Sequence, residues 1–357
     1  MAKLLLAGYF GAGNLGDDAI LKGFCTGLEG SNFQYRALAA SPERLMRHLG
    51  IQGVPKMDIG SIKTAISECD ALVFPGGSIF QDVTSARSVA YYSNLVKEAK
   101  KNKKKVIMLG QGIGPLNSFL GKRMAAGAFN AADMIAVRDP GSVSILRTLG
   151  VTQTPRLTGD CAYLLPIPKA DQATTNFGVA GMKTIGVSVR PWGKDKSKSV
   201  IATFADLVKL MSQNNYSPVM MQMDSEEDTK IIDAIAKIHG GKVPDLKGLT
   251  NPTQFQQRVG RMEAVIAMRL HAGILAATMG VPSMMVSYDP KVTAFSNIMG
   301  LPTPPSIQGA TGDRLFAQFQ SFMRDRDAHA KTIEKRVEEQ RKAAEGNIQA
   351  LRDCMGV

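Results

Sequence analysis

Cysteine and histidine are both scarce in this chain, four of each in 357 residues. Cys25, Cys69, Cys161 and Cys354 lie far apart and form no CxxC pair, which argues against a zinc site and a disulfide framework and fits a reducing cytoplasm. His48, His239 and His329 stand in polar contexts without ligand-spaced partners, so no metal is expected. Aromatic residues make up only 6%, with a single tryptophan, and neither an RNP-type aromatic pattern nor zinc-finger spacing occurs, so nucleic acid is not the expected partner. The opening MAKLLLAGYFGAGNLGDD carries too short an apolar run for a signal peptide. The long apolar stretch 265–286 is interrupted by Arg269, His271, Gly and Pro, which argues against a membrane span.

What is abundant is positive charge. Lys and Arg number 43 against 31 Asp and Glu, a formal charge of +12, so the partner or working surface is expected to be anionic: a phosphorylated substrate or an acidic membrane face. The run Lys97 to Lys105 reads first as a solvated helix end. A peripheral contact with an anionic membrane, at the inner face of the cytoplasmic membrane, is its second reading.

Strand-like and helix-like segments alternate from the start. Strands are expected at Lys3 to Phe10, Gln34 to Ala39, Ala71 to Pro75, Val106 to Gly110 and Met134 to Val137, with helices between them; a second series begins at Thr184 and includes strands at Ser217 to Met223 and Ala264 to Met268. The pattern predicts an α/β protein of two doubly wound parallel-sheet domains facing a cleft. The expected boundaries are 1–165, a linker at 166–183, a second domain at 184–323, and a long helix at 324–357 packing back on the first domain.

Arg269 and His271 sit where the strand Ala264 to Met268 turns into the helix His271 to Met279. Arginine keeps its charge, so burying it here requires an anion. Strand end, helix N-terminus, arginine and imidazole together suit a phosphate or carboxylate; the competing reading is an arginine paired with a structural carboxylate.

Gly11-Ala12-Gly13-Asn14-Leu15-Gly16 matches GxGxxG, yet the second strand ends without the acidic residue that a dinucleotide ribose needs. Asp17 and Asp18 would also repel a pyrophosphate. Two further glycine turns, Pro75-Gly76-Gly77-Ser78 and Gln111-Gly112-Ile113-Gly114, follow other strands of the same domain, so three such loops are expected to line one ligand-binding rim.

The segments GYFGAGNLGDDAIL, FPGGSIFQD, GQGIGP, Val137-Arg138-Asp139, Gly159-Asp160-Cys161-Ala162, Val187-Ser188-Val189-Arg190, MRLHAG and Tyr288-Asp289-Pro290-Lys291 resemble the polysaccharide pyruvyl transferases, in particular the CsaB-type subgroup acting on bacterial secondary cell-wall polymers. The motifs run in family order over residues 1 to about 300. The resemblance implies a GT-B-like fold and transfer of pyruvate from phosphoenolpyruvate, as a ketal on two sugar hydroxyls, with release of phosphate. It implies a lipid-linked or polymeric acceptor, N-acetylmannosamine in the cell-wall subgroup, and no cofactor beyond the co-substrate. Carried over by position, Arg269, Leu270, His271 and Arg138 would bind the donor, and Arg190 and Lys291, at further candidate strand ends or loops, would complete the anion site. His271, Arg138 and Asp82 would be catalytic, with His271 protonating the methylene carbon and either Asp17 or Asp82 accepting a hydroxyl proton. Asn14, Gly16, Asp17, Gly76, Gly77 and Gln111 would meet the acceptor. The rivals are a nucleotide-sugar glycosyltransferase of the same fold and a sugar-binding protein without turnover.

Overall fold

Burial along the first strand explains its place: in AKLLLAGYF five consecutive residues, Leu4 to Gly8, are buried, as expected of a central strand in a parallel sheet. The computed structural model describes residues 1–82, 86–170, 178–195, 197–240 and 243–357. Residues 171–177 of the expected linker lie outside the described residues. The chain forms two units, Met1–Pro166 with Gln340–Val357, and Ile167–Glu339.

The first unit runs β1 (Ala2–Phe10), α1 (Leu15–Gly27), β2 (Phe33–Ala39), α2 (Pro42–Leu49), β3 (Gly53–Pro55), α3 (Ile59–Glu68), β4 (Ala71–Phe74), α4 (Ala86–Lys101), β5 (Lys105–Gln111), α5 (Phe119–Asn130), β6 (Met134–Val137), α6 (Pro140–Thr148) and β7 (Arg156–Leu157). Its seven parallel strands are ordered β3-β2-β1-β4-β5-β6-β7. The second unit runs β8 (Lys183–Ser188), α7 (Lys198–Gln213), β9 (Tyr216–Met220), α8 (Glu227–Ile238), α9 (Pro252–Val259), β10 (Ala264–Ala267), α10 (Leu270–Thr278), β11 (Ser283–Met285), α11 (Pro290–Ile298) and α12 (Gly312–Arg324), and α13 (Arg326–Met355) follows. Its parallel sheet is ordered β11-β10-β8-β9. Each order reverses once, beside β1 in the first sheet and beside β8 in the second, and ligands of open α/β sheets gather at such reversals.

Four helices that apolar periodicity did not signal, α2, α6, α9 and α11, share one device. Each opens with a capping residue followed by proline: Ser41-Pro42, Asp139-Pro140, Asn251-Pro252 and Asp289-Pro290. The side chain accepts a first-turn amide and proline pre-sets the helical φ, so these starts are written locally.

The C-terminal tail also differs from one helix lying on the first unit. A break at Asp325 separates α12 from α13, and residues of α13 up to Glu339 belong to the second unit. From Gln340 onward α13 packs in the first unit, where buried Asn347 donates to Gly159 O at 2.8 Å and accepts from Thr158 Oγ1 at 2.8 Å. Among the described residues no helix is long and apolar enough to cross a membrane. Several lysines of the basic run are engaged internally: Lys100 with Asp133 at 2.8 Å, Lys104 with Ser67 O at 2.8 Å and Lys105 with Cys354 O at 2.5 Å.

Candidate active site

In the second unit β10 pairs with β8 on one side and β11 on the other, with Ala267 level with both Ser188 and Met285. The three strands therefore end together, and the residues just beyond them, Arg190, Arg269 with His271, and Ser287 to Lys291, share one edge. Arg190 reaches over this edge: its Nη1 donates to Tyr288 Oη at 2.8 Å and its guanidinium lies 4.5 Å from the ring centroid. Lys291 Nζ is 5.8 Å from the same ring and 3.9 Å from the Asp289 carboxylate.

Helix α10 begins shortly after β10 with Arg269 at its N-cap, and the Arg269 side chain makes no capping hydrogen bond. Its first turn places the positive end of the helix dipole beside the His271 imidazole, and the Ala272 amide donates to Arg269 O at 3.1 Å. Lys291 occupies the first turn of α11, where a cation opposes the helix dipole. A residue placed against that preference is explained by an anion nearby. Ser188, fully buried at the end of β8, has a hydroxyl with no hydrogen-bond partner among the described residues.

The anion that Arg269 demands comes from within the chain. Its Nη2 lies 2.5 Å from Asp228 Oδ1 and 2.9 Å from Glu227 Oε2, and its Nε donates to Asp228 at 3.2 Å. Asp228, with no exposed side-chain surface, also accepts the Met223 and Asp224 amides at 2.9 Å. Burial works against the Arg269 charge, but the Asp228 carboxylate overcomes it and raises the guanidinium pKa. The Arg269 charge is thus balanced by the first turn of α8, as in the competing reading of the sequence. Leu270, expected beside it on the donor, is buried at 8% exposure.

Arg138 occupies the corresponding turn of the first unit, one residue beyond β6, and meets the same solution. Its Nη1 lies 2.6 Å from buried Asp160 and its Nη2 donates to Ser78 Oγ at 2.9 Å. Gly112 permits this, since a Cβ there would lie 2.6 Å from Arg138 Nη2. A guanidinium has five N–H bonds, and these contacts use two of them.

Other first-unit expectations divide. Asp82 accepts the Asn117 amide at 2.6 Å, the Ser118 amide at 2.8 Å and the Ser118 hydroxyl. Burial pushes its pKa up, but these hydrogen bonds outweigh it and hold the carboxyl below its usual range, so Asp82 anchors the start of α5 and is a poor proton acceptor. Gln111 has no exposed surface and donates to Phe74 O and Leu109 O, which removes it from acceptor contact. Asn14 caps α1 by accepting the Gly16 and Asp17 amides, and Gly16 is buried inside that helix. Asp17 does reach the rim: its Oδ1 is 3.3 Å from where a Cβ of Gly77 would stand. Gly76 and Gly77 adopt φ of 149° and 94°, so both the turn and the approach of Asp17 require glycine. Near Asp17, Lys56 lies 4.5 Å over the Tyr9 ring; burial lowers the Lys56 pKa and the Asp17 charge opposes that shift.

Sequence reasoning passed over the counter-ion Asp228, and it assigned no role to Asp160 or Tyr288, which stand within motif segments. Asp228 stands 41 positions before its arginine, beyond any local pattern. Tyr288 was marked only as part of a motif. Among the described residues no group of three His, Cys, Asp or Glu side chains could hold a metal ion.

Two parallel α/β sheets, each reversing its strand order once, place the chain in a GT-B-like fold class. Solved structures share this frame: a putative UDP-N-acetylglucosamine 2-epimerase from Listeria monocytogenes aligns with a TM-score of 0.67 at 13% identity over 99% of this chain and 97% of its own. The Neisseria meningitidis UDP-GlcNAc 2-epimerase bound to UDP-GlcNAc aligns at 0.62 and 11% identity, over 98% and 100%. Anabaena Alr3699/HepE in complex with UDP-glucose aligns at 0.67 and 12% identity, over 100% of both chains.

Within that class the chain belongs to the polysaccharide pyruvyl transferase family, matched over residues 14–290. It is also similar to the amylovoran biosynthesis protein AmsJ of Erwinia amylovora, 22% identical over 297 residues that cover 77% of this chain and 71% of AmsJ. Family membership makes it a transferase enzyme with polysaccharide as the acceptor class.

Proposed function

We propose that this chain takes phosphoenolpyruvate as donor and builds a pyruvate ketal on two hydroxyls of one sugar in a surface-polysaccharide precursor, releasing inorganic phosphate. The observation that carries the reading is His271 in the first turn of α10, where the Arg269 side chain makes no capping hydrogen bond, with Arg190 and Lys291 on the same edge. A donor bearing both a phosphate and a carboxylate matches helix amides and two cations.

His271 gives its proton to the donor methylene carbon, which becomes the methyl group. Positive charge develops at the central carbon, and a sugar hydroxyl adds there, giving its own proton to a base. A second hydroxyl of the same sugar then displaces phosphate and closes the ketal, its proton leaving with that step. Arg190, Lys291 and the α10 amides hold the anionic groups while charge develops. Asp17 is assigned to acceptor hydroxyls at the first-unit rim, because Asp82 is committed to α5. Arg138 serves an anionic substrate group at that rim through the N–H bonds not given to Asp160 and Ser78. The acceptor is assigned as an N-acetylmannosamine of a lipid-linked cell-wall polymer precursor, with the basic surface in peripheral contact with an anionic membrane.

The test is phosphate release from phosphoenolpyruvate across a panel of lipid-linked and free amino-sugar acceptors. Release is expected with wild type and should fall about 10²–10⁴-fold in His271→Gln with little change in melting temperature. Stabilisation by UDP- or GDP-sugars without any by phosphoenolpyruvate would refute the reading in favour of a glycosyltransferase.

A further inference from the structure

The second unit contains an open pocket of about 540 Å³ that adjoins the edge carrying Arg190 and Lys291. Its lining includes Trp192, Tyr288, Thr293, Asn297, Ser306 and Gln308. The fold builds it from three pieces. Beyond β11, Ser287 forms an isolated parallel bridge with Ser306, which carries residues 306–308 alongside the strand end. Thr293 and Asn297 stand four apart on α11 and so share one face. Trp192 lies two residues beyond Arg190, with its amide donating to Ser197 Oγ at 3.0 Å.

The lining itself carries no lysine or arginine, although Arg190 and Lys291 flank Tyr288. The one carboxylate among the described lining residues, Asp289, caps α11 by accepting the Lys291 amide at 3.0 Å. Neutral donors and acceptors around two aromatic rings suit a pyranose, whose C–H faces pack on rings while amides and hydroxyls meet its hydroxyl groups. The volume lies within the roughly 300–1,000 Å³ of small-molecule sites and exceeds what a three-carbon phosphate ester fills. Tyr288 is already braced, since Arg190 lies over its ring and holds its hydroxyl.

We propose that this cavity is a saccharide subsite that takes a neutral sugar residue of the acceptor glycan, other than the one that receives the ketal. That the sugar belongs to the acceptor rests on the pyruvyl-transfer reading; binding of a neutral saccharide does not. Such a subsite makes the enzyme select for an acceptor of more than one sugar.

Trp192 is the chain's single tryptophan, so its emission reports this cavity directly. The full chain is titrated with N-acetylhexosamines, hexoses and their disaccharides, and separately with inorganic phosphate. Saccharides are expected to change the emission saturably, disaccharides at lower concentration than monosaccharides, and phosphate is expected to leave it unchanged. Asn297→Ala and Gln308→Ala, checked for an unchanged melting temperature, should each weaken saccharide binding about tenfold while the KM for phosphoenolpyruvate stays constant. The proposal is overturned if no saccharide changes the emission, or if the response is the same in both variants. Phosphate release without a Trp192 response defeats the subsite alone, whereas a saccharide response without phosphate release from phosphoenolpyruvate upholds the subsite and defeats pyruvyl transfer.

Discussion

Asp228→Ala is expected to be among the most damaging single substitutions in the second unit, because the Asp228 carboxylate is the reason Arg269 can lie where it does. The Asp228 side chain is fully buried and accepts two hydrogen bonds from Arg269 and two from the Met223 and Asp224 amides. Its removal leaves a guanidinium whose side chain is only 12% exposed facing a half-exposed Glu227 at 2.9 Å. Breaking a buried pair from one side costs about 3–5 kcal/mol. At about 2–4 °C per kcal/mol for a unit of this size, the second unit should melt roughly 6–20 °C lower. Arg269→Met should also destabilise, and the double change Asp228→Leu with Arg269→Met should recover much of the loss, because two matched apolar side chains leave no charge behind. Scanning calorimetry with and without phosphoenolpyruvate decides the matter. If both single variants melt within about 1 °C of wild type while stabilisation by the donor disappears, Arg269 is a donor clamp and the argument from internal pairing is wrong.

Arg190→Ala should raise the KM for phosphoenolpyruvate about 10–100-fold, as expected for losing a contact of about 1.5–3 kcal/mol to a charged group. Arg190→Lys should recover only part of this, since the planar fork that lies over Tyr288 and holds its hydroxyl is lost; equal KM values in steady-state kinetics of both variants would count against donor contact. Asp18 supplies a pH test. Burial raises its pKa from 3.8 to about 7, with the Gly11 amide opposing and the Asp17 charge adding to the shift. Between those two values the folded state binds more protons than the unfolded state, so this group's contribution to stability falls as pH rises through that window, by at most about 4 kcal/mol. In urea unfolding, Asp18→Asn should match wild type near pH 4 and exceed it above pH 7; a difference that does not grow with pH sinks the assignment.

The βα alternation and the main strands were readable from apolar runs, because a strand covered on both faces must be apolar along its length. Helices α2, α6, α9 and α11 were readable too, though through their cap-proline starts rather than through periodicity. His271 at a strand-to-helix turn follows from local sequence alone, as does the need of Arg269 for an anion. The family was legible because its motifs keep their order along the chain.

Sequence by itself therefore determined the alternation of elements, the turn that presents His271 and the charge problem posed by each buried arginine. Which group solves that problem was decided by tertiary structure. Arg269 and Asp228 are brought together by α8 and β10, and Arg138 and Asp160 by a loop beyond β7, pairings that depend on strand order rather than on spacing. Tertiary structure likewise ties Asp82 to the start of α5, 35 positions on, and buries the Gln111 amide, which donates to Phe74 O. It placed Trp192 and Tyr288 in one cavity. Hydrophobic periodicity is a local property, whereas a buried polar group takes whatever partner the fold brings within about 3 Å.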